Sequence, residues 1–88
     1  MINFDFKNRT AIITGGAQGF GLDIAKKFLE FGANVIIWDI DKKELDSASK
    51  EIDNNKLSSN VVDVSNYNNV EKTANEIAKS RKIDILIN

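Results

Sequence analysis

The sequence predicts an α/β fold, a parallel sheet with helices on both faces, read in chain order as β-α-β-α-β-α-β. Three observations lead there. Short apolar runs rich in Ile and Val, at residues 11–13, 34–38 and 83–87, alternate with longer stretches whose apolar residues recur at helical spacing. The first run ends in a glycine-rich turn, Thr14-Gly15-Gly16-Ala17-Gln18-Gly19-Phe20-Gly21, that leads straight into a helical pattern. Between the elements there is no linker, repeat or low-complexity tract, so the 88 residues make at most one domain.

Thr10–Thr14 reads as a buried strand, because its apolar character is nearly continuous and glycines follow it. Leu22, Ala25, Phe28 and Leu29 then fall on one helical face with Lys26, Lys27 and Glu30 on the other, so a helix is expected from Leu22 to a stop at Gly32. Residues 34–38 are the second strand, and two strands joined through a helix pack in parallel. Asp41 is expected to cap the next helix, with Glu44 as its capping-box partner and Leu45, Ala48 and Ile52 as the buried face; Asn54-Asn55 ends it.

Residues 57–62 form a third strand, diluted by Ser58, Ser59 and Asn60. Ser65 is expected to cap a third helix whose apolar positions are Val70, Ala74, Ile77 and Ala78. The run at 83–87 is the fourth strand, apolar enough to need cover on both faces and a neighbour at its edge, yet the sequence stops at Asn88. Residues 1–88 are therefore expected to be the N-terminal portion of a doubly wound domain, truncated after its fourth strand.

Composition narrows the function classes. With 42% hydrophobic and 28% charged residues, this is an ordinary globular chain. Twelve basic and thirteen acidic residues leave a net charge of -1 with no basic block, so no nucleic-acid partner is expected. The absence of cysteine and histidine removes disulfides, thiolate and imidazole metal sites, and any Ser-His-Asp or Cys-His arrangement from these residues. The segment from Met1 to Lys7 has no basic stretch followed by an apolar core, and no run is long enough to cross a bilayer. A cytoplasmic protein without a membrane partner is the expectation.

The glycine turn carries the chemistry. A strand enters it and a helix leaves it, which aims unpaired N–H groups and the positive end of a helix dipole at whatever anion sits there. A P-loop would continue with Lys and Ser/Thr where this chain has Leu22 and Asp23. The spacing G-x-G-x-x-G is not matched either: the glycines fall at Gly15, Gly19 and Gly21. Gly19 is expected where any Cβ would meet the backbone turn or a pyrophosphate. Asp39 follows the second strand at nearly the distance from the turn at which a carboxylate binds ribose hydroxyls. Two aspartates allow Asp41 to cap while Asp39 binds. Thr14 has no base to activate it and reads as a strand-end residue closing the turn. Trp38 and the five phenylalanines read as core or near-core residues.

With Thr14 in front, the turn resembles the T-G-x-x-x-G-x-G cofactor motif of the short-chain dehydrogenase/reductase family, with Phe20 where that family usually has Ile. The family's contact at that position runs mainly through the backbone N–H, so the departure is mild. The resemblance spans the chain. It implies a Rossmann-type sheet, first half only, and a nicotinamide cofactor held at Gly15, Gln18, Gly19, Phe20 and Gly21. It also implies that Asp39 binds the adenosine ribose beside Ile40, that Asp63 and Val64 contact adenine, and that Asn88 begins the family's N-N-A-G segment near the ribose. NAD is favoured over NADP, because Asp39 would repel a 2′-phosphate and no basic residue stands at Gln18 or Ile40, where NADP-selective relatives usually place one.

The family's Tyr-x-x-x-Lys is absent: the sole tyrosine, Tyr67, is followed four positions later by Glu71. These residues alone are expected to be inactive. The complete protein is expected to transfer a hydride between the nicotinamide cofactor and a small-molecule carbonyl or secondary alcohol. The general likeness is to the 3-oxoacyl-(acyl-carrier-protein) reductase type, and homo-oligomers are compatible with it. The alternative is a non-catalytic NAD-binding module or an inactive fragment. A methyltransferase is disfavoured by the glycine rhythm and by the lack of an acidic residue ending the first strand.

Overall fold

In a computed structural model that describes residues 5–88, the chain forms four strands and three helices in strict alternation: β1 (Thr10–Thr14), α1 (Gly19–Glu30), β2 (Asn34–Asp39), α2 (Lys42–Ile52), β3 (Leu57–Val61), α3 (Tyr67–Ala78) and β4 (Ile85–Ile87). The first four residues of the lead-in, Phe4 among them, lie outside the described residues. All strands are parallel, in the order β3-β2-β1-β4. The α/β architecture expected from the alternation is what forms.

Strand pleating sends alternate side chains to opposite faces, and each face has its own apolar layer. Ile13, Val35 and Ile37 pack against Ala25 and Leu29 of α1 and Leu45 and Ala48 of α2. Ile12, Ile36 and Trp38 point the other way, joining Val62 and the α3 residues Val70, Ala74 and Ile77. Central strands β1 and β2 are buried on both faces, which explains their continuous apolar runs. On β3, Ser58 and Val61 are exposed, as suits an edge strand whose sequence is diluted by serine and asparagine.

The helix ends follow side-chain chemistry, and four of them depart from expectation. α1 begins at Gly19 rather than Leu22, because helical backbone starts within the glycine turn, before any apolar residue has a face to bury. Asp41 caps α2 by accepting from the N–H groups of Lys43 and Glu44 at 3.0 and 3.3 Å. The expected reciprocal bond from Glu44 is replaced, since the Asp41 N–H donates to Asp39 Oδ1 (3.1 Å). α2 ends at Ile52 and its C-cap is Asp53, one residue ahead of Asn54, in a left-handed conformation with φ 46°.

The cap of α3 is Asn66, whose side chain accepts from the Asn69 N–H, not Ser65, which is drawn instead to Asp63. On α3, Thr73 is buried and gives its hydroxyl to the Asn69 carbonyl at 2.8 Å, while Ala78 is exposed. A hydroxyl that satisfies itself one turn back can face the core as readily as a small apolar side chain. α1 stops as expected: Gly32, at φ 94°, turns the chain so that its N–H reaches the Leu29 carbonyl and that of Ala33 the Phe28 carbonyl.

β4 is shorter than the run that predicts it. Ladder pairing covers only 85–87, against 11–13 of β1. Ahead of it, Ile83 turns to the α3 face and Asp84 takes over the strand end: its N–H donates to the Thr10 carbonyl, and its carboxylate accepts from the Thr10 N–H at 2.9 Å. That bond, with Arg9 at 3.4 Å and Lys82 at 3.8 Å, holds the Asp84 carboxyl below its usual range. Of the phenylalanines, Phe6 and Phe28 meet at 5.1 Å between ring centroids, whereas Phe20 is 89% exposed and corrects its reading as a core residue. At the opening of α1 it stands on the rim of a surface cleft shared with Phe6, Phe28 and Phe31. No helix among the described residues is long and apolar enough to cross a membrane.

Candidate functional site

Parallel strands put all their C-terminal ends on one edge of the sheet, and the candidate residues fall there because each ends a strand or lies in the turn or helix opening that follows one. Register aligns Thr14 with Trp38, Asp39 with Val61 and Ile13 with Ile87. The glycine turn, Asp39-Ile40, Asp63-Val64 and Asn88 are thereby brought to a common edge.

The turn is anchored to β2. The N–H groups of Gly15 and Gly16 both donate to the Trp38 carbonyl, at 2.7 and 3.3 Å. Gly15 and Gly19 take φ of 64° and 56°, a region that disfavours any Cβ. Gly19 itself faces open space, with nothing within 4 Å of where a Cβ would stand, so its requirement is conformational and not the collision expected from the sequence. The close approach belongs to Gly21, where a Cβ would run into the Gly15 carbonyl oxygen. Gly16 is also crowded: a Cβ there would lie 2.6 Å from Ile37 Cγ2. Sequence spacing alone did not single out Gly16, whose role comes from the underlying sheet.

α1 opens without a side-chain cap. Gln18 occupies the N-cap position in extended conformation and makes no capping bond, whereas α2 and α3 are capped by Asp41 and Asn66. Among the described residues, nothing accepts from the N–H groups of Gly19, Phe20 or Gly21. These are the donors an anion would meet.

Around the β2–β3 end lies a cleft of about 190 Å³, lined by Gly15, Trp38, Asp39, Ile40, Val62, Asp63 and Val64. Asp39 is half-buried, and its backbone carbonyl holds the Val62 N–H at 3.0 Å. Its Oδ1 takes the Asp41 N–H, which aims the carboxylate while leaving Oδ2 open among the described residues. Ile40 and Val64 stand 66% and 56% exposed, apolar side chains presented to solvent on either side of the cleft.

Asp63 is more constrained than its sequence position suggests. Oδ1 accepts from both the hydroxyl (2.6 Å) and the N–H (2.9 Å) of Ser65, and these bonds lower its pKa. Its N–H donates to Asn69 Oδ1 at 2.9 Å, locking the turn onto α3. Asp63 is a turn residue in this structure, and it also lines the cleft. Asn88 accepts the Thr14 hydroxyl at 2.8 Å, so the ends of β1 and β4 are tied beside the glycine turn. Tyr67 is the first residue of α3, exposed, with Glu71 one turn on. No group of three or more acidic, cysteine or histidine side chains able to hold a metal occurs among the described residues.

Comparison with known proteins places this edge in context. The sequence profile of the short chain dehydrogenase family matches residues 9–88. A 3-oxoacyl-[acyl-carrier-protein] reductase of Chlamydia muridarum is 39% identical over 85 residues, covering 92% of this chain and 34% of that protein. The crystal structure of a 3-ketoacyl-(acyl-carrier-protein) reductase from Brucella melitensis complexed with NADH superposes with a TM-score of 0.83 at 32% identity, over 93% of this chain and 34% of that one. A Pseudomonas aeruginosa RhlG/NADP complex does so with a TM-score of 0.84 at 28% identity, over 96% and 35%. The chain spans about a third of the length of the curated relatives it matches. With the glycine turn, the parallel sheet and the matched profile in agreement, the chain belongs to the short chain dehydrogenase family.

Proposed function

We propose that this edge binds the adenosine and pyrophosphate portions of NAD, as the cofactor-binding part of a short-chain oxidoreductase acting on a small carbonyl or secondary alcohol. The observation that carries it is the opening of α1. Of the three helices described it alone starts uncapped, in a glycine turn where a Cβ at Gly21 would collide with the Gly15 carbonyl. Unmet N–H groups at Gly19, Phe20 and Gly21 suit a pyrophosphate, and Gly15 and Gln18 complete the turn around it.

Asp39 supports the choice of cofactor. Family likeness does not choose, since similar structures carry NADH in one case and NADP in another. A fixed carboxylate at the end of β2 hydrogen-bonds vicinal ribose hydroxyls and repels a 2′-phosphate, and Ile40 beside it offers no cation. Ile40 and Val64 would flank the adenine, Asp63 would accept from its amine, and Asn88, held by Thr14, would stand by the ribose.

When bound, the nicotinamide supplies the hydride chemistry. The residues in this chain bind and orient; the proton donor and substrate contacts would come from the remainder of a protein about three times as long, as in the relatives. A 3-oxoacyl thioester is the substrate class that two similar reductases suggest. The test is to titrate the full protein with NADH and NADPH by fluorescence and to assay NADH oxidation with 3-oxoacyl thioesters and simple ketones. Tight NADH binding with turnover supports the reading. Binding without turnover would favour a non-catalytic NAD module, and absence of binding would overturn the assignment.

A further inference from the structure

The opposite edge of the sheet, where the strands begin, carries a larger cleft of about 580 Å³. Four cations line it: Lys7 and Arg9 from the lead-in to β1, and Arg81 and Lys82 from the connection between α3 and β4. Four of the chain's twelve basic residues thus meet at one place, in a sequence whose net charge is -1. Folding makes this gathering, since the two pairs lie at opposite ends of the chain.

Bringing like charges together is unfavourable unless anions answer them. On the helices cations are answered singly, Lys26 by Glu51, Lys27 by Glu30 and Lys42 by Asp46. In this cleft Asp84 is the one carboxylate among the lining residues. Its Oδ1 meets Arg9 at 3.4 Å and Lys82 at 3.8 Å, both long contacts, and its Oδ2 is spent on the Thr10 N–H at 2.9 Å. Asp5, the nearest acid along the lead-in, accepts the Lys7 N–H at 2.9 Å and does not line the cleft. Lys7 and Arg81 form no ion pair among the described residues. Four cations against one carboxylate leave an excess of three positive charges, and Asn8 and Asn34 add amide donors to the same wall.

We propose that this cleft binds a small compound carrying two or three linked phosphates, either free or as the tail of a nucleotide. An excess of several positive charges, supplied by two separate segments, is matched by a ligand with several negative ones and not by a single monovalent ion. Arginine offers a planar fork and lysine a point charge, the two kinds of cation that phosphate oxygens take. A concave space of this size suits a small molecule, and its walls concentrate the field of the cations on the interior. The site is distinct from the cofactor edge. It shares no lining residue with the cleft there, and the five residues of β1 set the two edges about 16 Å apart.

The experiment is calorimetry on the full protein in excess NADH, which fills the cofactor edge, with orthophosphate, inorganic triphosphate and ATP as titrants. Triphosphate should bind, orthophosphate more weakly, and added salt should weaken both. Lys7→Gln combined with Arg81→Gln should bind triphosphate about fivefold or more weakly than wild type, with melting temperature and NADH affinity unchanged. A control with Lys27→Gln and Lys50→Gln, exposed on α1 and α2, should bind like wild type. Tighter binding of ATP than of triphosphate would identify a nucleotide as the ligand, and equal binding a free oligophosphate. Absence of triphosphate binding in excess NADH would overturn the proposal, as would an unaltered affinity in the Lys7/Arg81 variant or an equal loss in the control. The order of the anions is read on unaltered protein, so orthophosphate binding as tightly as triphosphate would count against the site even where a variant fails to fold.

Discussion

A side-chain carbon on Gly21 would collide with the carbonyl oxygen of Gly15, so the first turn of α1 lies directly against the end of β1. That closeness presents the helix N-terminus at the sheet edge without intervening side chains. The two glycines of the helix opening consequently differ in kind: Gly21 is required by contact, Gly19 by its φ of 56°.

Substitutions should separate them. Gly21→Ala is expected to lower thermal stability and abolish nucleotide binding together, because the new methyl must push the helix off the strand. Gly19→Val should keep the sheet folded, at a conformational cost of about 1–2 kcal/mol or somewhat more for a branched side chain, and lose NADH binding as the turn is redrawn. Melting curves and NADH titration of both variants are the check. Normal NADH affinity in Gly19→Val would remove this turn from the cofactor site.

Asp39 predicts cofactor preference. Asp39→Ala combined with Ile40→Arg removes a repelling carboxylate and adds a planar cation suited to a phosphate. The ratio of NAD to NADP affinity should move toward NADP by at least about tenfold, ~1.4 kcal/mol. An unchanged ratio would take Asp39 out of the site.

Asp84 predicts an acid-side dependence of stability. Its folded pKa lies below the unfolded value because the Thr10 N–H, with Arg9 and Lys82, favours the carboxylate. A depressed pKa contributes stability that is present above the unfolded pKa and lost as pH falls through the folded one. Asp84→Asn should therefore melt lower than wild type near neutral pH, with the difference shrinking as pH drops below the ordinary carboxylate range. Melts from pH 7 to pH 3 provide the measurement; a difference independent of pH would mean that the charge contributes nothing.

β4 predicts association. Among the described residues it pairs only with β1, and Leu86 is 62% exposed. Residues 1–88 expressed alone should self-associate through this strand, and Leu86→Lys should reduce the association. Size-exclusion chromatography over a concentration series tests it. A monodisperse, cooperatively melting monomer in the unaltered polypeptide would contradict it.

How much of the site could be seen beforehand depended on whether a residue's role is local. Asp41 as a cap, Gly32 as a helix stop and the four strand positions follow from chemistry within a few residues, and all were legible. Asn66 took the cap expected of Ser65 because Asp63 draws the Ser65 hydroxyl, a competition between two neighbouring acceptors and donors that pattern alone does not rank. Thr73 entered the core where Ala78 was expected, because α3 is rotated by what it packs on, not by its own hydropathy.

By itself the sequence determined the alternation of strands and helices, their parallel packing and the placement of glycines and aspartates just after strands. Those features are written in periodicity of 2 and 3.6 and in residues with restricted or extended conformational freedom. Tertiary structure decided which glycine meets a backbone, that Gly16 lies on Ile37, that Asp84 shortens β4 by capping Thr10, and that the Trp38 N–H is buried without a partner among the described residues. Apart from the Gly21 contact, which depends on how the turn folds back on Gly15, these depend on residues that lie tens of positions away in the chain, and no local pattern carries that distance.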